Sequence, residues 1–143
     1  MSLGNFAEVM NFALDLEAMA AAFYETATTI THNQELKSLF EAFLLQGQGH
    51  VQLLIQTRRT ATTKKANQRF WGIQSQNYIP NTECPSGCPD AKLLELADRM
   101  EEKIQQFYLD ATDKIKLQKT EIDVFKQLGQ AHHTTQKQLQ MAI

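Results

Sequence analysis

The chain has 143 residues, of which 43% are hydrophobic and 21% charged. This is the composition of a globular protein and excludes a disordered chain, and the length predicts a single domain over residues 1–143. The formal net charge is −2, so the chain lacks the basic surface that nucleic acid or an anionic membrane would attract. No apolar run is long enough to span a membrane, and we expect no signal peptide.

The first two predicted helices form a hairpin over residues 5–58. The first helix carries a stripe with spacings of four and three, typical of one helix face. Its members are Phe6, Met10, Ala13, Glu17, Ala20, Tyr24 and Ala27. The second helix, from about residue 34 and capped by Asn33, carries a similar stripe. Its members are Leu36, Phe40, Phe43, Gly47, His50 and Leu54. So short a connection predicts an antiparallel pair.

A crossover is predicted over residues 59–89, which contain all three prolines and no sustained helical stripe. We expect it to hold a short helix of its own and to be anchored to the bundle by Phe70, Trp71 and Tyr78. Cys84 and Cys88 leave four alternatives open: a loop disulfide, half of an intersubunit zinc site, a redox-active thiol pair, or two idle thiols. Two cysteines are no disulfide framework, and a reducing cytoplasm is the expected location.

A second hairpin is predicted over residues 90–143. Asp90 is expected to cap the third helix, and Thr120 with Asp123 resembles a capping box before the fourth. The inward residues of the third helix are Leu94, Ala97, Glu101, Ile104, Tyr108, Ala111 and Ile115, and those of the fourth are Phe125, Leu128, His132, Thr135 and Leu139. Two hairpins joined by a long crossover predict an all-α, up-down-down-up four-helix bundle.

An internal repeat relates the first and third helices. Glu17 and Glu101 are each followed by Phe-Tyr at the sixth and seventh positions and by Ala at the tenth. Two similar hairpins related by a pseudo-twofold axis would bring these carboxylates face to face in the core. A buried carboxylate is costly unless it is paired, protonated or bound to a metal. The alternative is that both are solvated surface charges.

With these motifs, the chain resembles the ferritin-like superfamily, and within it the short rubrerythrin-like proteins. In that family each odd helix supplies a Glu and, seven residues later, a Tyr. Here these residues are Glu17 with Tyr24 and Glu101 with Tyr108. The resemblance implies a ferritin-like bundle, a metal site in its centre and an association into homodimers.

The even helices depart from the family pattern, which places a Glu-x-x-His pair of a di-iron centre on each. The second helix has Gly47 in the Glu place and keeps His50, whereas the fourth has His132 in the Glu place and Thr135 in the His place. The glycines in this part of the second helix suggest a closely approaching neighbour or a decayed site. Ile104 stands where rubrerythrin-type peroxidases carry a further Glu.

The resemblance therefore implies a degenerate site for one divalent metal ion, with iron as the first choice and zinc or manganese as alternatives, or for none. The predicted ligands are Glu17, His50, Glu101 and His132, and the predicted hydrogen-bond donors to the Glu ligands are Tyr24 and Tyr108. We expect His32 and His133 to lie outside the site, with the phase of the fourth helix deciding between His132 and His133.

Three functions remain open at this stage. The first is a rubrerythrin-like metal-binding protein, an iron-dependent oxidoreductase that uses a small-molecule oxidant. The second is a metal-free helical bundle that has lost the di-iron centre and serves in interaction or structure. The third is thiol-based redox chemistry at Cys84 and Cys88.

Overall fold

The computed structural model describes residues 2–60, 73–84, 87–114 and 118–142. Within these ranges the chain forms four long helices and no strand beyond an isolated bridge between Ser2 and Gln74. The helices are α1 (Phe6–Ile30), α2 (Gln34–Thr60), α3 (Asp90–Lys114) and α4 (Lys119–Ala142). The predicted all-α four-helix bundle is confirmed. None of the helices in the described ranges is long and apolar enough to cross a membrane.

The helices pack as two hairpins that lie side by side. The α1 helix packs along α2, and α3 packs along α4, while α1 also lies beside α3 and α2 beside α4. Large side chains from all four helices fill the space between them, and Leu16, Phe40, Phe107 and Phe125 are completely buried. The described residues of the predicted inward stripes therefore meet in a common core, with polar residues at its centre. Ile115, the last predicted member of the third stripe, lies outside the described residues.

Local hydrogen bonds fix where the first two helices begin. The side chain of Asn5 accepts a hydrogen bond from the backbone N–H of Glu8 at 2.9 Å. Asn33 does the same for the N–H of Leu36 at 3.0 Å, which confirms the predicted cap of α2. Asn is well suited to this role because its short side chain reaches the exposed backbone donors of the first turn.

The predicted starts of the last two helices are wrong by one or two residues. Asp90 is the first residue of α3 and not a cap that precedes it. The α4 helix begins at Lys119, and the carboxylate of Glu121 accepts a hydrogen bond from the backbone N–H of Gln118 at 3.0 Å. Because the helix starts early, the acidic residue that reaches back to the cap is Glu121 and not Asp123.

The described part of the crossover contains a single turn of 3-10 helix, Ser75–Asn77. Tyr78 follows it and is buried, with its hydroxyl donating to Asp110 at 2.6 Å and its ring edge-on to Phe107. Tyr78 thus anchors the crossover to α3, as predicted. The other two predicted anchors, Phe70 and Trp71, lie outside the described residues.

The two cysteines form a loop disulfide, Cys84–Cys88, with their Cα atoms 5.7 Å apart. Of the four alternatives for these cysteines, the structure therefore shows the loop disulfide. Cys88 is buried and lies just before α3, whereas Cys84 is partly exposed at the edge of the core. The bond ties the end of the crossover to the start of α3.

The two glycines of α2 do not make room for a neighbouring backbone. A Cβ atom at Gly49 would meet nothing within 4 Å, and one at Gly47 would lie 3.6 Å from the Cβ of Ala21, an ordinary contact distance. A glycine on the exposed face of a helix is destabilising because it loses more backbone freedom on folding than an alanine does. We therefore expect Gly49→Ala to raise the free energy of unfolding by about 1 kcal/mol in urea denaturation.

The matched control for that substitution is Gly87→Ala. Gly87 has a positive φ of 80°, a backbone conformation that disfavours a side chain. Alanine there should lower the free energy of unfolding, although the space around Gly87 is as open as that around Gly49. An unchanged or lowered stability of Gly49→Ala would contradict the prediction.

Candidate metal centre

Two glutamates occupy the centre of the bundle. Glu17 on α1 has 0% of its surface exposed, and Glu101 on α3 has 1%. The alternative that they are solvated surface charges is therefore wrong. Both lie on the inward stripes that the internal repeat predicts, and their carboxylates converge on the same polar cluster.

Each glutamate accepts a hydrogen bond from the tyrosine of the other odd helix. The Tyr24 hydroxyl donates to Oε1 of Glu101, and the Tyr108 hydroxyl donates to Oε2 of Glu17, both at 2.6 Å. Each tyrosine follows the glutamate of its own helix by seven residues, or about 10.5 Å along the axis. The reciprocal pairing is possible because α1 and α3 run antiparallel.

Both tyrosines remain protonated donors in this environment. Burial and the neighbouring carboxylate, Glu101 for Tyr24 and Glu17 for Tyr108, raise the pKa of each phenol well above its ordinary value of 10.0. A phenol that stays neutral donates its proton to these carboxylates, so each bond runs from a tyrosine to a glutamate.

His132 on α4 lies between the two carboxylates and is 4% exposed. Its Nε2 is 2.8 Å from Oε2 of Glu17, and its Nδ1 faces Oε2 of Glu101. Because both ring nitrogens face acceptors, the ring donates from both as an imidazolium. The ring of Tyr108 stacks on it, with an angle of 16° between the planes.

The positive charge of His132 and the carboxylates around it stabilise each other. Burial alone would lower the pKa of His132, but the carboxylates of Glu101 and Glu17 outweigh it and raise the pKa from 6.5 to about 10. Burial alone would raise the pKa of Glu17, but the charge of His132 and hydrogen bonds from His132 and His50 lower it from 4.5 to about 2. Within the cluster, Glu17 is therefore ionised and His132 is protonated at neutral pH.

His50 on α2 completes the cluster from the side that is nearer to solvent. Its Nδ1 is 3.1 Å from Oε1 of Glu17, and its side chain is 14% exposed. Glu17, His50 and His132 each offer a ligand atom, and these three atoms lie within 4.8 Å of one another. Two imidazoles and a carboxylate are ligands that suit Fe(II), Mn(II) or Zn(II).

The donor set fits one divalent cation. A metal ion bound to Nε2 of His132 would replace the proton of that nitrogen. Nδ1 would continue to donate to Glu101, the carboxylate–histidine arrangement that orients many metal-bound imidazoles. Among the described residues no buried side-chain N or O atom lacks a hydrogen-bond partner. The same cluster is thus satisfied by a proton on His132 when no metal is bound.

Comparison with protein families adds an independent observation. The family described as the ferritin-like domain matches residues 5–81, which is more than half of the chain and includes Glu17 and His50. The chain belongs to the ferritin-like domain family. Comparison with curated proteins and with solved structures gave no significant match.

The structure of this ferritin-like domain brings together all six residues that the sequence singled out. His132 forms hydrogen bonds with Glu17 and Glu101, and His50 forms one with Glu17. A tyrosine hydroxyl donates to each of the two carboxylates. Glu101 differs from the other three predicted ligands because it is outside the group of converging ligand atoms. It contacts His132 and Tyr24 instead.

The remaining histidines lie elsewhere in the ferritin-like domain. His133 forms a hydrogen bond with Gln105 through Nδ1, at 3.3 Å, and His32 is exposed between α1 and α2. One residue near the site was missed by sequence reasoning: Gln46, which accepts a hydrogen bond from Thr135 at 3.4 Å. Only its position in the sequence, directly before Gly47 on the inward stripe of α2, could have indicated that Gln46 lies near the site.

Proposed function

We propose that this ferritin-like domain binds one divalent metal ion through Glu17, His50 and His132. The observation that carries the proposal is the convergence of these three ligand atoms within 4.8 Å of one another. A second metal ion is disfavoured, because a di-iron site needs about twice as many carboxylates to bridge and neutralise two cations. Iron is the first choice and zinc or manganese the alternatives, since the donor set suits all three.

The finer parts of the proposal follow from the resemblance to rubrerythrin-like proteins. A bound Fe(II) would supply one-electron redox chemistry with a small-molecule oxidant, which makes the protein an oxidoreductase. The chain's own part is to hold the ligands: Tyr108 positions Glu17, and Glu101 positions His132. The proposal extends to a cytoplasmic homodimer, in which the Cys84–Cys88 bond would be held reduced. The exposed side chains of Leu45 and Leu109 offer apolar surface for the association.

Metal uptake tests the proposal. Protein freed of metal with a chelator should take up one equivalent of Fe(II) under argon, or of Mn(II) or Zn(II), measured by calorimetry and by elemental analysis after desalting. His132→Gln should weaken binding by about 100-fold or more, since even the groups that orient ligands contribute 10–100-fold. The matched control is His133→Gln, which removes the adjacent histidine from the other side of α4 and should leave the affinity unchanged.

A second candidate function, a metal-free bundle that serves in interaction or structure, has one observation in its favour. The hydrogen bonds of His132 to both carboxylates satisfy the buried cluster without a metal. If none of the three metals binds and none changes the melting temperature, this second function replaces the first. Binding that is equal in His132→Gln and His133→Gln would also contradict the proposed site.

A further inference from the structure

A cavity adjoins the disulfide at the end of the crossover. Its volume is about 310 Å³, which is within the range of small-molecule sites. It lies between α1, the end of the crossover and the first turn of α3. None of its described lining residues belongs to the candidate metal centre, so this is a separate site on the bundle.

The lining of this cavity is mostly apolar. Its large apolar side chains come from α1 and α3, and they are Met19, Phe23, Ile30 and Leu93. Thr26 and Thr82 add hydroxyl groups, and none of the described lining residues is charged. An ion would lose its hydration in the cavity without gaining a partner of opposite charge. The lining therefore suits an uncharged, apolar group.

The cavity gives access to one side of the disulfide. Cys84 is one of the lining residues and is partly exposed, whereas Cys88 is 7% exposed and is outside the lining. A thiol breaks a disulfide by attacking one of its two sulfur atoms, and the rate depends on access to that sulfur. A thiol inside the cavity would therefore meet the disulfide at Cys84.

We propose that this cavity binds small, uncharged thiols that carry an apolar group, and that these thiols attack Sγ of Cys84. The apolar group is buried among the side chains of α1 and α3, and the sulfur of the thiol lies against Cys84. The inference goes beyond the proposed function, because the reaction requires no metal ion. It makes Cys84 the residue that is modified.

The reaction is an exchange of one disulfide for another. The thiol loses its proton to water, and its sulfur forms a bond with Sγ of Cys84. The bond between Cys84 and Cys88 breaks, and its electron pair stays on Sγ of Cys88, which takes up a proton from water. The new S–H group has an acceptor nearby, because Sγ of Cys88 lies 3.9 Å from the carbonyl oxygen of Pro89. No outside oxidant or reductant is needed.

Benzyl mercaptan and 2-mercaptoethanol are suitable probes, because both are uncharged alkyl thiols and only the first carries an aromatic ring. The disulfide form of the protein is mixed with each thiol in the presence of a chelator, quenched with acid and mapped by mass spectrometry. The mixed disulfide should be on Cys84. Benzyl mercaptan should form it about tenfold faster than 2-mercaptoethanol, relative to the rates of both thiols with free cystine, since the cavity buries its ring.

A variant that fills the cavity tests whether this preference comes from binding. Thr26 is a lining residue on the exposed side of α1, so Thr26→Trp places a large side chain at the cavity without changing the core. It should remove the preference for benzyl mercaptan and leave the rate with 2-mercaptoethanol within about twofold. The matched control is Thr29→Trp, the same change at an exposed position of α1 outside the lining, which should keep the preference.

Each outcome supports or overturns the inference. A mixed disulfide on Cys88, equal relative rates for the two thiols, or no reaction would overturn it. The same holds if Thr26→Trp and Thr29→Trp prefer benzyl mercaptan equally. If Thr26→Trp fails to fold, the position of the mixed disulfide and the preference in the wild-type protein decide. Because the chelator excludes metal, none of these results bears on the proposed metal site, which metal uptake tests separately.

Discussion

Replacing His132 with leucine should lower the free energy of unfolding of the metal-free protein by about 3–5 kcal/mol. His132 is the cation between two buried carboxylates, Glu17 and Glu101, and it hydrogen-bonds to both. Without it, the two buried carboxylates lie close together with no positive charge between them. Removing one member of a buried ion cluster leaves the others uncompensated, which is more costly than the loss of a surface pair. Urea denaturation in the presence of a chelator measures the change.

Two control variants show whether the loss comes from charge. His133→Leu removes the neighbouring histidine, which is outside the cluster, and should change stability by less than about 1 kcal/mol. The triple variant Glu17→Gln, Glu101→Gln, His132→Leu removes all the charges together and should recover much of the lost stability. A loss below about 1 kcal/mol for His132→Leu alone would contradict a buried ion cluster.

The stability of the metal-free protein should be highest between about pH 4.5 and 6.5. The folded-state pKa of Glu17 is lowered from 4.5 to about 2, so its contribution is present above pH 4.5 and is lost as the pH falls toward 2. The folded-state pKa of His132 is raised from 6.5 to about 10, so its contribution is complete below pH 6.5 and is lost as the pH rises through 10.

The expected loss is on the order of 3 kcal/mol on each side of this window. The contact between Glu17 and His132 contributes to both shifts, so they are not summed. Urea denaturation at a series of pH values, with chelator present, measures the profile. In His132→Leu the alkaline decline should disappear, whereas His133→Leu should retain it. A wild-type protein whose stability rises from pH 6.5 upward would refute the prediction.

Periodicity made the helices and the burial of most candidate site residues predictable. The spacing of apolar residues determines which face of a helix is buried, and it places Glu17 and Glu101 on inward stripes. The repeat that they share with Tyr24 and Tyr108 then indicates that the two glutamates lie at equivalent depths. The phase of α4 followed from counting onward from Phe125, and His132 is the buried histidine of that helix.

The pattern of residues along one helix does not predict which side chains it contacts on the other helices. The pairing of Tyr24 with Glu101, across the bundle, depends on how α1 and α3 are placed side by side. The contact of Glu101 with Nδ1 of His132 depends likewise on the distance between α3 and α4. The crossover has no repeating pattern of apolar residues that would predict its structure. The disulfide between Cys84 and Cys88 was therefore one of four alternatives that the sequence left open.

The reciprocal bonds from Tyr24 to Glu101 and from Tyr108 to Glu17 determine the register of the two hairpins. Sliding α1 past α3 by one turn, about 5.4 Å, would break both bonds at once and leave two buried carboxylates without their tyrosine donors. Each hairpin is held by contacts that are local in the chain and can form early in folding. Their docking, in contrast, brings together charges from three helices and succeeds in one alignment. The centre of the bundle therefore holds the two hairpins in one alignment, and a ligand that binds there would stabilise their docking.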